Sequence, residues 1–364
     1  MNHNSARYAH IDGMRAVAVM LVVVAHAGIG DIVPGGSGVT IFFGISGFII
    51  THLLLKEKDR TNTFDIRAFY TRRAAKILPP LFVIVIIPTL AFVFVEPIRW
   101  DPLLGITFFY YNWQRVAGIH PQLAGSDVVW SLSIEEQFYL AFAAIWFTAL
   151  ALKIRMRWIA LGAFVAALLS LCMRIALVSG IIPTHDYEVR VYYASDTRLD
   201  AIAFGVLTAI VFHKSLNQTP RVGLTTTAVR ICQRDSALFF AISIYLLSLL
   251  LRDEWFRYTF RFSMQAVATC IVLLYGFGSN QTVVRRAFDS VIRLRIVQFI
   301  GLSSYSIYLV HLIVIRYSLP LIGQVGLGVR VAILTLLGTL SGFAIYLAVE
   351  RPVQMWRKRV VGRV

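Results

Sequence analysis

Ten apolar segments divide this chain, and each is close to the length of a membrane-spanning helix. A helix crosses the roughly 30 Å hydrocarbon core of a bilayer with about 20 predominantly apolar residues. In chain order the segments are 11–30, 38–55, 78–95, 132–152, 158–178, 197–213, 236–251, 262–278, 297–315 and 329–349. Because lipid offers the backbone no hydrogen-bonding partner, apolar runs of this length predict helices. We therefore predict an all-α, polytopic membrane protein with about ten transmembrane helices.

The composition excludes both a soluble globular protein and a disordered chain. Hydrophobic residues make up 58% of the 364 residues and charged residues 15%, against about 45–50% and about 25% in typical soluble domains. That charge is too low to cover a soluble surface, whereas the apolar content is too high for disorder. A shorter apolar piece, 103–113, is too brief to span and is interpreted as a re-entrant or interfacial segment.

The distribution of positive charge predicts the topology. The net charge is +16, from 35 Lys and Arg against 19 Asp and Glu. With the N-terminus placed in the cytoplasm, 25 of the 35 cations fall on the cytoplasmic side of the ten helices, as the positive-inside rule requires. The cations lie in short patches between apolar runs, which argues against nucleic-acid binding. We therefore predict both termini in the cytoplasm, with membrane lipids as neighbours.

The first predicted helix carries two ionisable residues, Arg15 and His26. They are eleven residues apart, about three turns, so they share nearly one face with an axial separation of roughly 16 Å. Histidine is the natural proton acceptor near neutral pH, and a buried ionisable residue in a span is a candidate functional group. The competing interpretation is an interfacial anchor for Arg15 and a helix-packing hydrogen bond for His26.

A basic patch lies just before the third apolar segment. Arg72, Arg73 and Lys76 place three cations within five residues, which suits the binding of phosphate groups. The simpler interpretation is positive-inside charge in contact with lipid headgroups.

The run Trp130-Ser-Leu-Ser-Ile-Glu-Glu-Gln-Phe-Tyr139 begins the fourth segment. Glu135 and Glu136 fall in the first helical turn, where the helix dipole favours carboxylates, so a structural explanation is available. Glu136 and Tyr139 nevertheless share a helix face, and two carboxylates with a phenol suit the orientation of a hydroxyl-bearing substrate.

Further polar residues interrupt the later segments. Asp196 and Arg198 lie at the start of the sixth segment, where a structural ion pair is the simpler interpretation, and His311 lies inside the ninth. Glu350-Arg-Pro352 predicts the end of the last helix, because proline disfavours helix continuation. The three cysteines show no metal-ligand spacing, so we predict no metal site.

Together these segments resemble the membrane-bound acyltransferase family 3, the bacterial O-acyltransferases of sugars and related acceptors. The resemblance covers nearly the whole chain. It rests on Ile11-Asp-Gly-Met-Arg-Ala with His26, Gly38-Val-Thr-Ile-Phe-Phe-Gly-Ile-Ser-Gly-Phe-Ile, Phe69-Tyr-Thr-Arg-Arg, Trp130 to Tyr139, Asp196-Thr-Arg-Leu-Asp, and Ser304-Tyr-Ser-Ile-Tyr-Leu-Val-His with Glu350-Arg-Pro.

The resemblance implies acetyl-CoA, or another acyl-CoA, as a cytoplasmic donor and a hydroxyl of a saccharide or glycoconjugate as the acceptor. It implies His26 as general base or acyl relay, assisted by Glu136 and Tyr139. The implied donor-binding residues are Arg15, Arg72, Arg73 and Lys76, and the implied substrate-binding residues are Glu135, Asp196, Arg198 and His311. It also implies the bacterial cytoplasmic (inner) membrane, and a single acyltransferase domain over 1–364 without an additional extracytoplasmic domain.

Two positions depart from the family pattern. The basic patch ends in Lys76, which keeps the charge but loses bidentate phosphate binding. The Gly-Val-Asp common in the second helix is Gly38-Val39-Thr40 here, so no carboxylate role transfers to Thr40. Three other functions remain open: a transporter or flippase for a polar lipid or saccharide, a non-catalytic scaffold, and acylation of a macrolide-type metabolite. The oligomeric state is not predicted.

Overall fold

A computed structural model describes residues 8–217, 223–322 and 325–360 of the protein. Within these ranges the regular structure consists of helices, and no strand is present. The predicted all-α class is confirmed. The helices are α1 (Ala9–Ile29), α2 (Gly35–Thr61), α3 (Ile66–Phe94), α4 (Trp100–Thr107), α5 (Tyr111–Val116), α6 (Ser126–Ala151), α7 (Met156–Val178), α8 (Tyr187–Asn217), α9 (Leu224–Cys232), α10 (Asp235–Leu250), α11 (Glu254–Tyr258), α12 (Phe260–Gly276), α13 (Val283–Ile292), α14 (Arg295–Ile322) and α15 (Leu327–Arg357).

All ten predicted segments are helical, but not all are long enough to span. In the described part of the chain, eight helices are long and apolar enough to cross a membrane, or nine if α9 and α10, bent by 73°, form one span. The helices α10 and α12 have only 16 and 17 residues. At about 1.5 Å per residue they fall short of the hydrocarbon thickness. The predicted count of ten is therefore not confirmed.

Two helices continue through prolines by adopting a π turn. Pro88 of α3 follows the π turn Phe82–Ile86, and Pro352 of α15 follows the π turn Tyr346–Glu350. A proline lacks the N–H that would bond to the carbonyl four residues earlier, and its ring crowds that carbonyl. In both helices that carbonyl lies within the wider turn, which relieves the conflict. The prediction that the last helix ends at Glu350-Arg-Pro352 is wrong for this reason.

The segment predicted to be too short to span consists of two short helices. The helices α4 and α5 cover most of 103–113, and Phe109 between them has a positive φ of 58°. Leu103 and Ile106 of α4 are buried against α6 and α3 in the main core cluster. The turn at Phe109 reverses the chain before a full span can form, as the length of this segment predicts.

Close backbone contacts between α2 and α8 organise the centre of the bundle. A Cβ atom on Gly47 of α2 would overlap the carbonyl oxygen of Ile202, and one on Gly205 of α8 would overlap the carbonyl oxygen of Gly44. Small residues at such positions let two helix backbones approach closely, and packing then substitutes for the hydrophobic effect that is absent in lipid. This contact brings Thr40 of α2 beside Arg198 of α8.

Candidate active site

A cavity of about 410 Å³ lies between α1, α2, α3, α6 and α14, and we call it the basic cavity. One end carries a concentration of cations, and this end is called the basic end. The ionisable and phenolic residues that line it are Arg15, Glu57, Arg72, Arg73, Lys76, Glu135, Tyr139, Tyr305, Tyr308 and Arg357. Six of the residues predicted for the site therefore share one cavity, although they come from several helices.

The cations at the basic end differ in how strongly they are engaged. The Arg72 Nη2 atom lies 3.6 Å from Glu57 Oε2, and Arg15 Nε donates a hydrogen bond to Ser304 Oγ at 3.1 Å. The Lys76 ammonium forms no hydrogen bond or ion pair with the residues that the structure describes. Arg72 and Lys76 therefore keep donor capacity that an anionic ligand at this end would use.

Arg73, in contrast, is held inside the protein. Its guanidinium lies 3.5 Å from the ring centroid of Tyr139, and its Nη2 atom donates to Glu136 Oε1 at 3.0 Å. The Tyr139 hydroxyl donates to Glu135 Oε2 at 3.3 Å. A guanidinium stacked on an aromatic ring and paired with a carboxylate is a stable packing unit. Arg73 is therefore less available to a phosphate than Arg72 or Lys76.

The two intramembrane histidines meet at the far end of α1. His26 Nδ1 and His311 Nε2 are 2.9 Å apart, and the two rings stack with centroids 5.1 Å apart. His311 is fully buried, and its Nδ1 atom lies 2.7 Å from the carbonyl oxygen of Tyr308. His26 is exposed. Glu136, predicted to assist His26, pairs with Arg73 in this structure.

These hydrogen bonds fix one arrangement of protons in the neutral pair. A carbonyl oxygen only accepts, so His311 Nδ1 carries a proton and its Nε2 atom has a lone pair. That lone pair accepts the proton on His26 Nδ1, which leaves the His26 Nε2 atom unprotonated. His311, predicted to bind substrate, thus orients His26 as an orienting residue does in other base-containing sites.

A polar segment that the sequence motifs did not reveal lies near the exposed side of His26. Asp127 and Arg316 are the charged groups that act on His26 electrostatically. The Arg115 Nε atom lies 3.7 Å from Asp127 Oδ1, and the Tyr111 hydroxyl donates to the same oxygen at 3.5 Å. Burial, and then the nearby Asp127 charge, raises the pKa of Tyr111 well above its usual range. Tyr111 therefore stays a neutral donor to Asp127.

Asp196 and Arg198 lie outside the basic cavity and do not pair with each other. Asp196 forms a two-point ion pair with Arg190, with both oxygen–nitrogen distances at 2.6 Å. Arg198 is fully buried, stacks 3.9 Å over the ring of Phe262 and donates to Thr40 Oγ1 at 3.2 Å. Its Nε and Nη1 atoms have no hydrogen-bond partner among the described residues. Asp196 is thus ion-paired with Arg190 and not with Arg198.

The contact between Thr40 and Arg198 gives a prediction about stability. We expect Thr40→Asp to raise the free energy of unfolding, because a carboxylate would add a counter-charge to the buried guanidinium that already donates to Thr40 Oγ1. Thermal unfolding of the purified protein in detergent measures the change. Thr40→Asn is the matched control, since asparagine has nearly the same shape as aspartate but carries no charge. An unfolding temperature for Thr40→Asp no higher than that for Thr40→Asn would contradict the prediction.

In the residues that the structure describes, no three His, Cys, Asp or Glu side chains come together as a metal site would require. The groups that these residues offer for chemistry are cations, carboxylates, phenols and the histidine pair.

A bundle of long apolar helices that encloses a basic cavity and a histidine pair defines a multi-pass membrane protein. The family model of acyltransferase 3, described as an acyltransferase domain, matches residues 8–349. The chain belongs to this family, so the resemblance inferred from its motifs is confirmed.

Curated relatives agree with this assignment. A protein of Staphylococcus aureus strain COL, named "Putative O-acetyltransferase SACOL0978", is 31% identical over 323 residues, which cover 84% of this chain and 50% of the relative. The O-acetyltransferase OatA of S. aureus strain NCTC 8325 is 29% identical over 361 residues, which cover 94% of this chain and 57% of the relative. The chain thus spans about half the length of the curated relatives it matches. No solved structure matches it.

Proposed function

We propose that this protein is a membrane O-acyltransferase, specifically an O-acetyltransferase, of the bacterial cytoplasmic membrane. It moves an acyl group from cytoplasmic acyl-CoA to a hydroxyl of a saccharide or glycoconjugate. The observation that carries the proposal is the arrangement of a basic cavity at one end of α1 and an oriented imidazole at the other. The names of the curated relatives, a putative O-acetyltransferase and the O-acetyltransferase OatA, support acetyl as the acyl group.

The donor binds with its phosphates at the basic end. Arg15, Arg72 and Lys76 supply positive charge to the pyrophosphate and the ribose phosphate of CoA. The pantetheine arm and its thioester then enter the basic cavity, whose walls are mainly apolar beyond the cations. Tyr139 and Glu135 on the cavity wall contact this arm. In this arrangement the positive end lies in the cytoplasm, as the charge distribution of the sequence predicts.

The transfer step uses His26 as the proton acceptor. The unprotonated Nε2 atom takes the proton of the acceptor hydroxyl, and the oxygen attacks the thioester carbonyl carbon. The carbon–sulfur bond breaks, and the thiolate of CoA receives the proton from the imidazolium. In an alternative reaction route, the His26 Nε2 atom itself attacks the thioester and carries the acyl group to the acceptor. His311 serves both routes by holding His26 in the required tautomer.

Two assays test the proposed function and distinguish it from transport. Purified protein in liposomes is given isotope-labelled acetyl-CoA, and envelope glycans from cells lacking the protein serve as acceptors. Labelled glycans support the proposal, as does protection by CoA against thermal unfolding. A transporter or a scaffold needs no CoA site, so absence of both signals would overturn the proposal. Mass spectrometry of glycans and small metabolites with and without the protein then identifies the acceptor.

Arg357 is a further donor-binding residue that the sequence alone does not reveal. It lies on α15, far along the chain from the basic patch, yet it lines the basic cavity with Arg72. We expect Arg357→Glu to raise the KM for acetyl-CoA about tenfold, equivalent to about 1.4 kcal/mol, with little change in kcat. Arg351→Glu, an exposed residue of the same helix outside the cavity lining, is the control. An equal KM increase in both variants would show that only net charge matters.

A further inference from the structure

A hydrogen-bonded contact between two helices lies in the wall of the basic cavity. The hydroxyls of Tyr308 on α14 and Ser131 on α6 are 2.7 Å apart. Each of them also lies 3.3 Å from the carbonyl oxygen of Val128. Ser131 and Val128 are buried, and both Ser131 and Tyr308 line the cavity. The contact therefore links α6 to α14 at the cavity wall.

The histidine pair lies next to Tyr308. Tyr308 lines the basic cavity, whereas His26 and His311 do not. The Tyr308 ring centroid is 5.8 Å from that of His311, and the Tyr308 carbonyl oxygen accepts the hydrogen bond from His311 Nδ1. Tyr308 therefore contacts both the basic cavity and the histidine pair. Its carbonyl oxygen accepts the proton of His311 Nδ1, and its side chain lines the cavity.

The His26 side chain is exposed, unlike the buried His311, and Asp127 and Arg316 act on it electrostatically. Where that exposed face meets water, a thioester that reached it without a barrier would react with water. The water oxygen would bond to the carbonyl carbon, the carbon–sulfur bond would break, and the products would be the free carboxylic acid and CoA thiol. An acyltransferase must suppress this reaction.

We propose that Tyr308 is a gate that sets the partition between transfer to the acceptor and hydrolysis of the donor. The inference rests on the proposed function. In the closed state, the Tyr308–Ser131 contact keeps the thioester apart from His26 and water. Rotation of the phenol into the cavity breaks that contact and joins the basic cavity to the space around the histidine pair. The Tyr308 carbonyl stays in place, so His311 keeps its hydrogen-bond partner. Tyr308 is a specificity-determining residue in this scheme, because it decides which hydroxyl reaches the thioester.

The test compares hydrolysis and transfer in the same protein preparations. Tyr308→Phe keeps the ring but removes the hydroxyl, and Ser131→Ala removes the partner hydroxyl. Loss of one hydrogen bond of about 1 kcal/mol corresponds to about a fivefold change in the closed-to-open ratio. We expect acceptor-independent hydrolysis of acetyl-CoA to rise about fivefold in each variant, with no further rise in the double variant. Release of CoA thiol and labelled acetate measures hydrolysis, and labelled glycan measures transfer.

Ser133→Ala is the matched control for Ser131→Ala. Ser133 lies two residues further along α6, is also buried, bonds only to the carbonyl of Val129 among the described residues and does not line the cavity. Its hydrolysis-to-transfer ratio should equal that of the wild type. An unchanged ratio in Tyr308→Phe and Ser131→Ala, with transfer intact, would overturn the gate and leave the proposed function standing. A parallel loss of both reactions in Tyr308→Phe would overturn the gate by making Tyr308 catalytic. Failure of the wild type to use acetyl-CoA would overturn the proposed function itself.

Discussion

His26→Asn should reduce acyl transfer by about 10²- to 10⁴-fold, the range that general-base catalysis contributes. Asparagine can keep a hydrogen bond to His311 Nε2 through its amide N–H groups, so the local packing is retained. It has no nitrogen lone pair to accept a proton or an acyl group, so either proposed route fails. Initial rates with saturating acetyl-CoA in liposomes measure the effect, and thermal protection by CoA should remain because the donor cations are untouched.

Two other histidine variants make this result specific. His311→Phe removes the orienting partner, so the His26 tautomer is no longer fixed, and we expect a loss of transfer smaller than in His26→Asn. His185→Ala changes an exposed histidine between α7 and α8, and its transfer rate should equal that of the wild type. Full transfer by His26→Asn at normal yield would exclude the imidazole from the reaction.

Arg174→Met should lower the free energy of unfolding by about 3–5 kcal/mol, because it breaks a buried ion pair from one side. Arg174 of α7 is fully buried and donates to Asp200 Oδ2 at 2.7 Å, to the Thr259 carbonyl at 2.9 Å and to Ser263 Oγ at 2.7 Å. Methionine has similar length but leaves the buried Asp200 carboxylate without its counter-charge. Thermal unfolding in detergent measures the loss.

The control for Arg174 is a more exposed ion pair of the same residue types. Arg190 pairs with Asp196, whose side chain is 38% exposed, so water can solvate the carboxylate when the arginine is removed. Arg190→Met should therefore cost only about 0–1 kcal/mol. Equal destabilisation by both replacements would mean that burial does not set the strength of these pairs.

The sequence predicts the helical class well because the helical conformation of each span depends on the residues of that span. The apolar runs around α1, α2 and α14 are long and distinct, and a helix in lipid is specified by its own residues. The boundaries are less predictable where a proline interrupts the pattern. Pro352 indicates a helix end from local rules, but the π turn before it lets α15 continue, and this depends on packing against α3 and α14.

The candidate site is predictable where its residues are close in sequence. Arg15 with His26, and Arg72 with Lys76, follow from helical spacing and from the rarity of charge in a span. The partners of these residues depend on which helix faces which. Pairing of Arg73 with Glu136 arises from contact between α3 and α6, and the position of Arg357 arises from the return of α15 to the basic end. No pattern within one helix predicts either contact.

The π turn in α15 also sets the rotational phase of everything that follows it. An α-helix turns by about 100° per residue, and a π turn accommodates one extra residue within the helix. Without that extra residue, the final part of α15 would be rotated by about one residue step. Arg357 would then turn aside from the mouth of the cavity, although composition, length and hydrophobicity of the helix would hardly change. Deleting a single apolar residue from 346–350 would thus alter binding of the proposed donor only by changing the direction in which Arg357 points.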